Sequence, residues 1–308
     1  MRTLAAASRP LFSDLPSLVR SWLPPSSFKT FASLSSSPPS DSDLRNQSRG
    51  GLPRFFSDDL PSRKAHTLSL FLYLIELLFP LNLCSEFWHM AKVLRLKQED
   101  RVELFNGKGG LVEGCIQSID KTGVDFIAQE DQKVILPQGI QWQVFAAFGT
   151  LKGGRADWLI EKCTELGASS VTPLLTERSS IISENRVDRL ERVSFAAAKQ
   201  CQRLHQMVLN PPIKFVTLLD HIFKSKLCLI ATAEATPLLN AVNSSAKESS
   251  GLLIVGPEGA DFTKKEVEMM LEAGGTAVGL GPHRLRVETA TIALLATLVM
   301  WSDSQEMI

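Results

Sequence analysis

The sequence predicts an α/β protein, with a helix-covered parallel sheet in its C-terminal half and a small β-barrel before it. Two observations carry the sheet. From Ile140 onward, apolar β runs alternate with helical stretches, which argues for parallel strands with helices on both faces. Near the far end, Leu252–Val255 and Ala277–Leu280 each lead into a Gly-Pro pair, then polar residues and a helix start. The barrel rests on a third: between Lys97 and Ala128 the strand candidates are short and closely spaced by turn residues.

The stretch Leu252–Trp301 organises the rest. Leu252–Val255 is a short apolar run that stops at Gly256-Pro257, and Glu258-Gly259 leads on to Thr263. Thr263 stands three residues before Glu266, the spacing of a capping box at a helix start. Gly274-Gly275 supplies the helix stop. Ala277–Leu280 reads as a second buried strand ending at Gly281-Pro282, and Glu288-Thr289 opens a long apolar helix. In open α/β sheets ligands bind at the carboxyl ends of strands, so both turns are candidate ligand loops. Two ordinary α/β connections are the alternative, because such folds host many functions.

The residues GPEG (256–259), then LG-x-x-R-L-R-x-ETA (280–290), then an apolar helix, resemble the ribosomal RNA small subunit methyltransferase E family of the SPOUT superfamily. The resemblance implies S-adenosyl-L-methionine-dependent methylation of N3 of a uridine in small-subunit, 16S-type ribosomal RNA. It also implies a C-terminal trefoil-knotted α/β domain behind a PUA-like barrel, and a homodimer whose sites lie beside the knot. The strand and helix pattern itself predicts no knot, which folds generally avoid.

Composition narrows the field. Lys+Arg and Asp+Glu are both 33 in 308 residues, so no global basic field announces a nucleic-acid partner and local patches must bind RNA. Five scattered cysteines form no C-x-x-C pair, and five histidines show no H-E-x-x-H spacing. Free thiols and no metal site are expected.

Three regions follow: residues 1–48, a transit peptide; 52–136, the barrel and RNA-binding domain; 138–304, the methyltransferase domain. The first is rich in Ser, Pro and Ala, with Arg2, Arg9, Arg20 and Lys29 against the single acid Asp14 before Ser40. That composition points to organelle targeting, and its Ser/Pro richness to chloroplast over mitochondrion. A plain disordered tail is the alternative. Arg54-Phe55-Phe56 opens the barrel in the resembled family, and His89, Val93, Leu94, Arg95 and Leu96 match its H-x-x-x-V-L-R-L stretch. Between them, Leu68–Cys84 is an apolar misfit broken by Glu76 and Pro80, slightly short for a membrane span of about 20 residues. An insertion near 66–85 that disturbs the first barrel strands is the expected reading, with a membrane anchor or an extra buried helix as alternatives.

In the second domain, Asp157–Leu166 reads as a helix with Trp158, Leu159, Cys163 and Leu166 inward, and WLIEKCTELG matches the family's first helix. A strand at Ser170–Leu175 ends in the turn Thr176–Ser179. Glu184–Leu204 reads as one long helix in which Gln200 and Arg203 match the family pattern while Lys199 departs from it. Both matched residues fit a structural role, reaching a neighbouring loop.

Methyl transfer from a sulfonium asks for a pocket that aligns donor and acceptor, an effect worth up to about 7–11 kcal/mol. Glycine and proline loops suit it because backbone must approach the adenosine closely. By resemblance, the cofactor-binding residues are Gly256, Pro257, Glu258, Gly259, Leu280, Gly281, Leu285 and Arg286. No early G-x-G-x-x-G supports a Rossmann-type alternative. Uracil N3 must lose its proton, so an arginine to hold charge on the carbonyls and a carboxylate to take the proton are needed. Arg178, Arg286 and Glu288 are the catalytic candidates. Against these, Glu288 also fits a helix-dipole carboxylate, and Arg286 a phosphate or carboxylate clamp. The RNA-binding candidates are Arg54, Lys92, Arg95, Lys152 and Arg155, each singly explicable as solvated surface charge. A non-catalytic ribosome-assembly factor on the same fold is the second functional reading. Finally, the family reads GPEG, glycine, aromatic, serine or threonine; here Ala260 and Asp261 precede Phe262-Thr263, one residue more. Deleting Ala260 is expected to tighten cofactor binding if the extra residue impairs the loop.

Overall fold

The computed structural model describes residues 51–62, 68–71, 83–120, 123–149, 151–152, 154–179, 182–242, 248–259 and 261–306. The expected transit segment, residues 72–82 of the apolar insertion and Ala260 lie outside them.

The barrel sheet holds β1 (Arg54–Phe56), β2 (Leu68–Phe71), β3 (Arg101–Phe105), β4 (Gly110–Ile119), β5 (Gly123–Ala128) and β6 (Lys133–Val134). Its order is β1-β3-β4-β5-β2, with β6 on β4. Strict alternation puts Val102 and Leu104, Val112 and Ile116, and Val124 and Phe126 inward, where they pack with Phe55 and Met90. Gly114 lets β5 pass: a Cβ there would meet the Ile127 carbonyl oxygen at 2.1 Å. The start of the apolar insertion is itself a barrel strand, Leu68–Phe71 pairing antiparallel with Gly123–Phe126. The H-x-x-x-V-L-R-L stretch is not a strand. Helix α1 (Leu83–Trp88) runs into a π-helical turn, His89–Val93, after which Arg95 takes a left-handed φ of 53°. Among the described residues no helix is long and apolar enough to cross a membrane.

The second sheet follows: β7 (Gln141–Ala146), α2 (Arg155–Glu165), β8 (Ser170–Leu175), α3 (Glu184–Gln200), β9 (Val208–Leu209), β10 (Ile213–Lys214) and α4 (Phe215–Lys224). After these come β11 (Cys228–Pro237), α5 (Leu238–Val242), β12 (Ser250–Val255), α6 (Lys264–Glu272), β13 (Thr276–Gly279) and α7 (Val287–Glu306). The order is β10-β8-β7-β12-β11-β13 with β9 on β8, and every pairing is parallel. Alternation splits the core in two. Trp142, Val144, Leu253 and Val255 join residues of α2, α3 and α7 in one layer; Phe145, Leu252 and Ile254 join residues of α4 and α6 in the other. The Trp142 indole donates to Ser302 Oγ at 3.1 Å, tying the first strand to the last helix across 160 residues.

Two expectations need correction. Trp158 points outward, 43% exposed, because the buried stripe of α2 is Ala156, Leu159, Ile160, Cys163 and Thr164. The helix from Glu184 stops at Gln200, and Gln202 turns left-handed at φ 55°. That turn brings the Arg203 guanidinium to the carbonyls of Thr164 and Gly167, at 3.0 and 3.1 Å, where it closes the end of α2. Lys199 bridges to the barrel: its Nζ lies 3.3 Å from Glu86 and above the rings of Phe56 and Phe195.

Candidate active site

β12, β11 and β13 are neighbours in the sheet, so the loops at their carboxyl ends must meet. They frame an open cleft. One wall is Gly256, Pro257, Gly259 and Asp261, the opposite wall Leu280, Gly281 and His283 to Leu285, and Val287, Ala290 and Leu294 of α7 close it. Its remaining side is Ala231–Ala233, where β11 leaves its register with β13 between Ala231 and Thr236.

Glycine is required at this rim for two different reasons. Gly256 and Gly279 are backed tightly. A Cβ on Gly256 would lie 2.9 Å from Asp261 Oδ1, and one on Gly279 would lie 3.1 Å from the Ala235 carbonyl oxygen. Gly259 and Gly281 take left-handed φ values of 83° and 109° with open space around them. The Thr232 hydroxyl is buried in this cleft without a hydrogen-bond partner among the described residues. Leaving such a group unsatisfied costs about 1–3 kcal/mol.

Outside the cleft, Arg155 sits between two carboxylates. Its Nε and Nη2 donate to Glu288 at 2.7 Å each, and its Nη1 and Nη2 donate to Glu258 at 2.9 and 2.6 Å. Hydrogen bonding from Arg155 holds the Glu258 carboxyl below the usual carboxylate range, and the nearby charge of Arg286 adds to this. Hydrogen bonds from the same two carboxylates push the guanidinium above its ordinary value. On α6 the capping box is formed as expected: Glu266 N–H donates to Thr263 Oγ1, and Thr263 N–H donates to the Glu266 carboxylate at 2.8 Å. The other Glu266 oxygen accepts the Glu177 N–H at 3.2 Å, joining the turn that carries Arg178 to the same helix.

Of the cofactor-binding candidates, Gly256, Pro257, Gly259, Leu280, Gly281 and Leu285 line the cleft. Glu258 and Arg286 do not; Glu258 is turned away to Arg155, and Arg286 is exposed at the start of α7. The catalytic candidates are not brought together in the cleft lining. Arg178 is exposed in the turn after β8, and Glu288 is buried with both carboxylate oxygens taken by Arg155. The RNA candidates divide. Lys92, Arg95 and Lys152 are exposed, whereas Arg54 donates to Glu103 at 2.5 Å and Arg155 is engaged as above. Sequence reasoning missed Thr232. Its signal was available, since Ala231-Thr232-Ala233 ends a third strand of the same sheet.

Residues 139–299 match the family of RNA methyltransferase domains, and residues 85–129 match the RNA methyltransferase PUA domain. The ribosomal RNA small subunit methyltransferase E of Bacillus subtilis is 30% identical over 227 residues, covering 70% of this chain and 87% of that protein. The chain belongs to the ribosomal RNA small subunit methyltransferase E family. Among solved structures, that of the enzyme of this name from Neisseria gonorrhoeae, bound to S-adenosyl methionine, aligns with a TM-score of 0.62 at 23% identity. It covers 82% of this chain and 98% of that one. A probable rRNA-methyltransferase from Porphyromonas gingivalis aligns with a TM-score of 0.60 at 26% identity, covering 82% and 99%. The expected architecture, a parallel-sheet α/β domain behind a PUA-like barrel, is thus that of the methyltransferase E family.

Proposed function

We propose that this protein uses S-adenosyl-L-methionine to methylate N3 of a uridine in small-subunit ribosomal RNA. The cleft at the ends of β11, β12 and β13 carries the reading: its walls are glycine-rich loops that admit close approach. The cofactor, when bound, supplies an electrophilic methyl group. Backbone groups of Gly256–Gly259 and Leu280–Gly281 would hold the adenosine. The uridine would enter flipped from its stack, and Arg286 at the rim would stabilise negative charge on the base carbonyls as the N3 proton passes to bulk water and the methyl–sulfur bond breaks. Lys92, Arg95 and Lys152 track the phosphates.

The protein acts as a homodimer with its cofactor loops in a trefoil knot, after delivery to the chloroplast. The long helix α7, which presents Met300 to solvent at 73% exposure, is the surface offered to the second copy. The test is mass spectrometry of small-subunit ribosomal RNA from cells lacking the protein, with calorimetry of cofactor binding to the pure protein. Loss of one N3-methyluridine and micromolar binding are expected. Unchanged RNA with no cofactor binding would favour the ribosome-assembly factor instead.

A further inference from the structure

The residues flanking Glu258 and Glu288 belong to two different sides of the cleft. Pro257 and Gly259 line one wall, Val287 and Ala290 another, yet both carboxylates turn outward and converge on Arg155. Arg155 begins α2, preceded by left-handed Gly154, so its guanidinium is mounted on a helix that belongs to neither wall. Its four hydrogen bonds form two forks, one to each wall, a geometry that a planar guanidinium provides and a lysine ammonium does not. We propose that Arg155 is the positioning residue of the cleft, locking the 256–259 loop to the start of α7, and that its charge is spent there and not on RNA phosphate. The lock itself is a property of the free protein; its effect on the cofactor rests on the function proposed above.

Two backbone hydrogen bonds report on the two walls separately. The Asp261 N–H donates to the Pro257 carbonyl at 3.3 Å, and the Ala290 N–H donates to the Arg286 carbonyl at 2.8 Å. Amide exchange at these positions is measured without cofactor in wild type, R155Q, R155K and E258Q, followed by cofactor Kd and the KM for RNA. R155Q is expected to speed exchange at least tenfold at both amides, and R155K to do the same. E258Q cuts one fork only and should release Asp261 while leaving Ala290 protected, which separates the lock from general misfolding. The cofactor Kd should rise tenfold or more in R155Q while the KM for RNA stays constant, and the double variant R155Q/E258Q should be no worse than R155Q. Unchanged exchange in R155Q overturns the proposal, and so does full rescue by R155K. An intact cofactor Kd with weaker RNA binding and a shallower salt dependence would make Arg155 a phosphate contact and overturn it as well. A wild type that binds no cofactor refutes the proposed function, while the exchange results still decide the lock.

Discussion

The two glycine-proline loops that face each other across the cleft read almost alike in sequence and are built differently. The loop from Gly256 to Thr263 is held at both its ends. Gly256 is backed by Asp261 and Phe262, Asp261 N–H donates to the Pro257 carbonyl, Phe262 is buried, and Thr263 caps α6. The loop from Leu280 to Arg286 is exposed along its whole length. One wall is packed against its own chain, and the other stands open to solvent. Such a division suits a site that must hold a cofactor in one pose and admit a large RNA, since mobile, sparsely packed segments are the ones that rearrange on binding.

The comparison is broken most severely by removing the packing under the held loop. Phe262→Ala should cost about 3–5 kcal/mol of stability, read as a lowered denaturant midpoint. An unchanged midpoint would mean that the loop is not packed as described. The opposite wall should answer differently. Arg286→Ala is expected to slow methyl transfer about 10²–10³-fold, some 2.7–4 kcal/mol in the barrier. As a surface change, it should leave stability within about 0.5 kcal/mol. Near-normal turnover in a single-turnover assay would remove Arg286 from the reaction.

A smaller effect sharpens the contrast. Glu266→Ala removes the capping box and the bond to Glu177, and should cost about 1–2 kcal/mol by thermal unfolding. It should also loosen the Arg178 turn, seen as faster exchange of the Glu177 amide. Smallest is the pH response. The folded pKa of Glu258 lies below its unfolded value, so its contribution is fully present above the ordinary carboxylate pKa. It is lost as pH falls through the lowered value. Protection of the Asp261 amide should therefore be full above the ordinary carboxylate range, decline as pH falls through that range, and be lost by the lowered value of Glu258, and E258Q should abolish that fall.

Much of the fold was legible because the signals were local. The capping box at Thr263 and Glu266, the apolar strands ending in Gly-Pro, and the alternating barrel strands each state their structure within a few residues. The loops that line the cleft were legible for the same reason together with the family motif. What stayed hidden depends on partners far along the chain. Arg155 reads as one more surface cation until Glu258 and Glu288 are placed beside it, 103 and 133 residues away. Glu288 reads as a base until its oxygens are found occupied. Trp158 was placed inward by its apolar character, whereas the helix phase puts Leu159 and Ile160 there instead. Leu68–Phe71 hid inside an apolar run because its pairing partner, β5, lies more than fifty residues downstream.

The bond between Trp142 and Ser302 has a consequence for how the domain assembles. β7 gains its neighbour β12 and the cover of α7 only after nearly all of the domain is available. Contacts of such long sequence separation close late, and chains dominated by them fold slowly. The cleft, made of residues of β11, of the ends of β12 and β13 with the loops that follow them, and of the first turns of α7, is therefore among the last features to form. A chain stalled before α7 would carry the centre of its sheet exposed, and its fate would be decided by quality control before any methyl group could be moved.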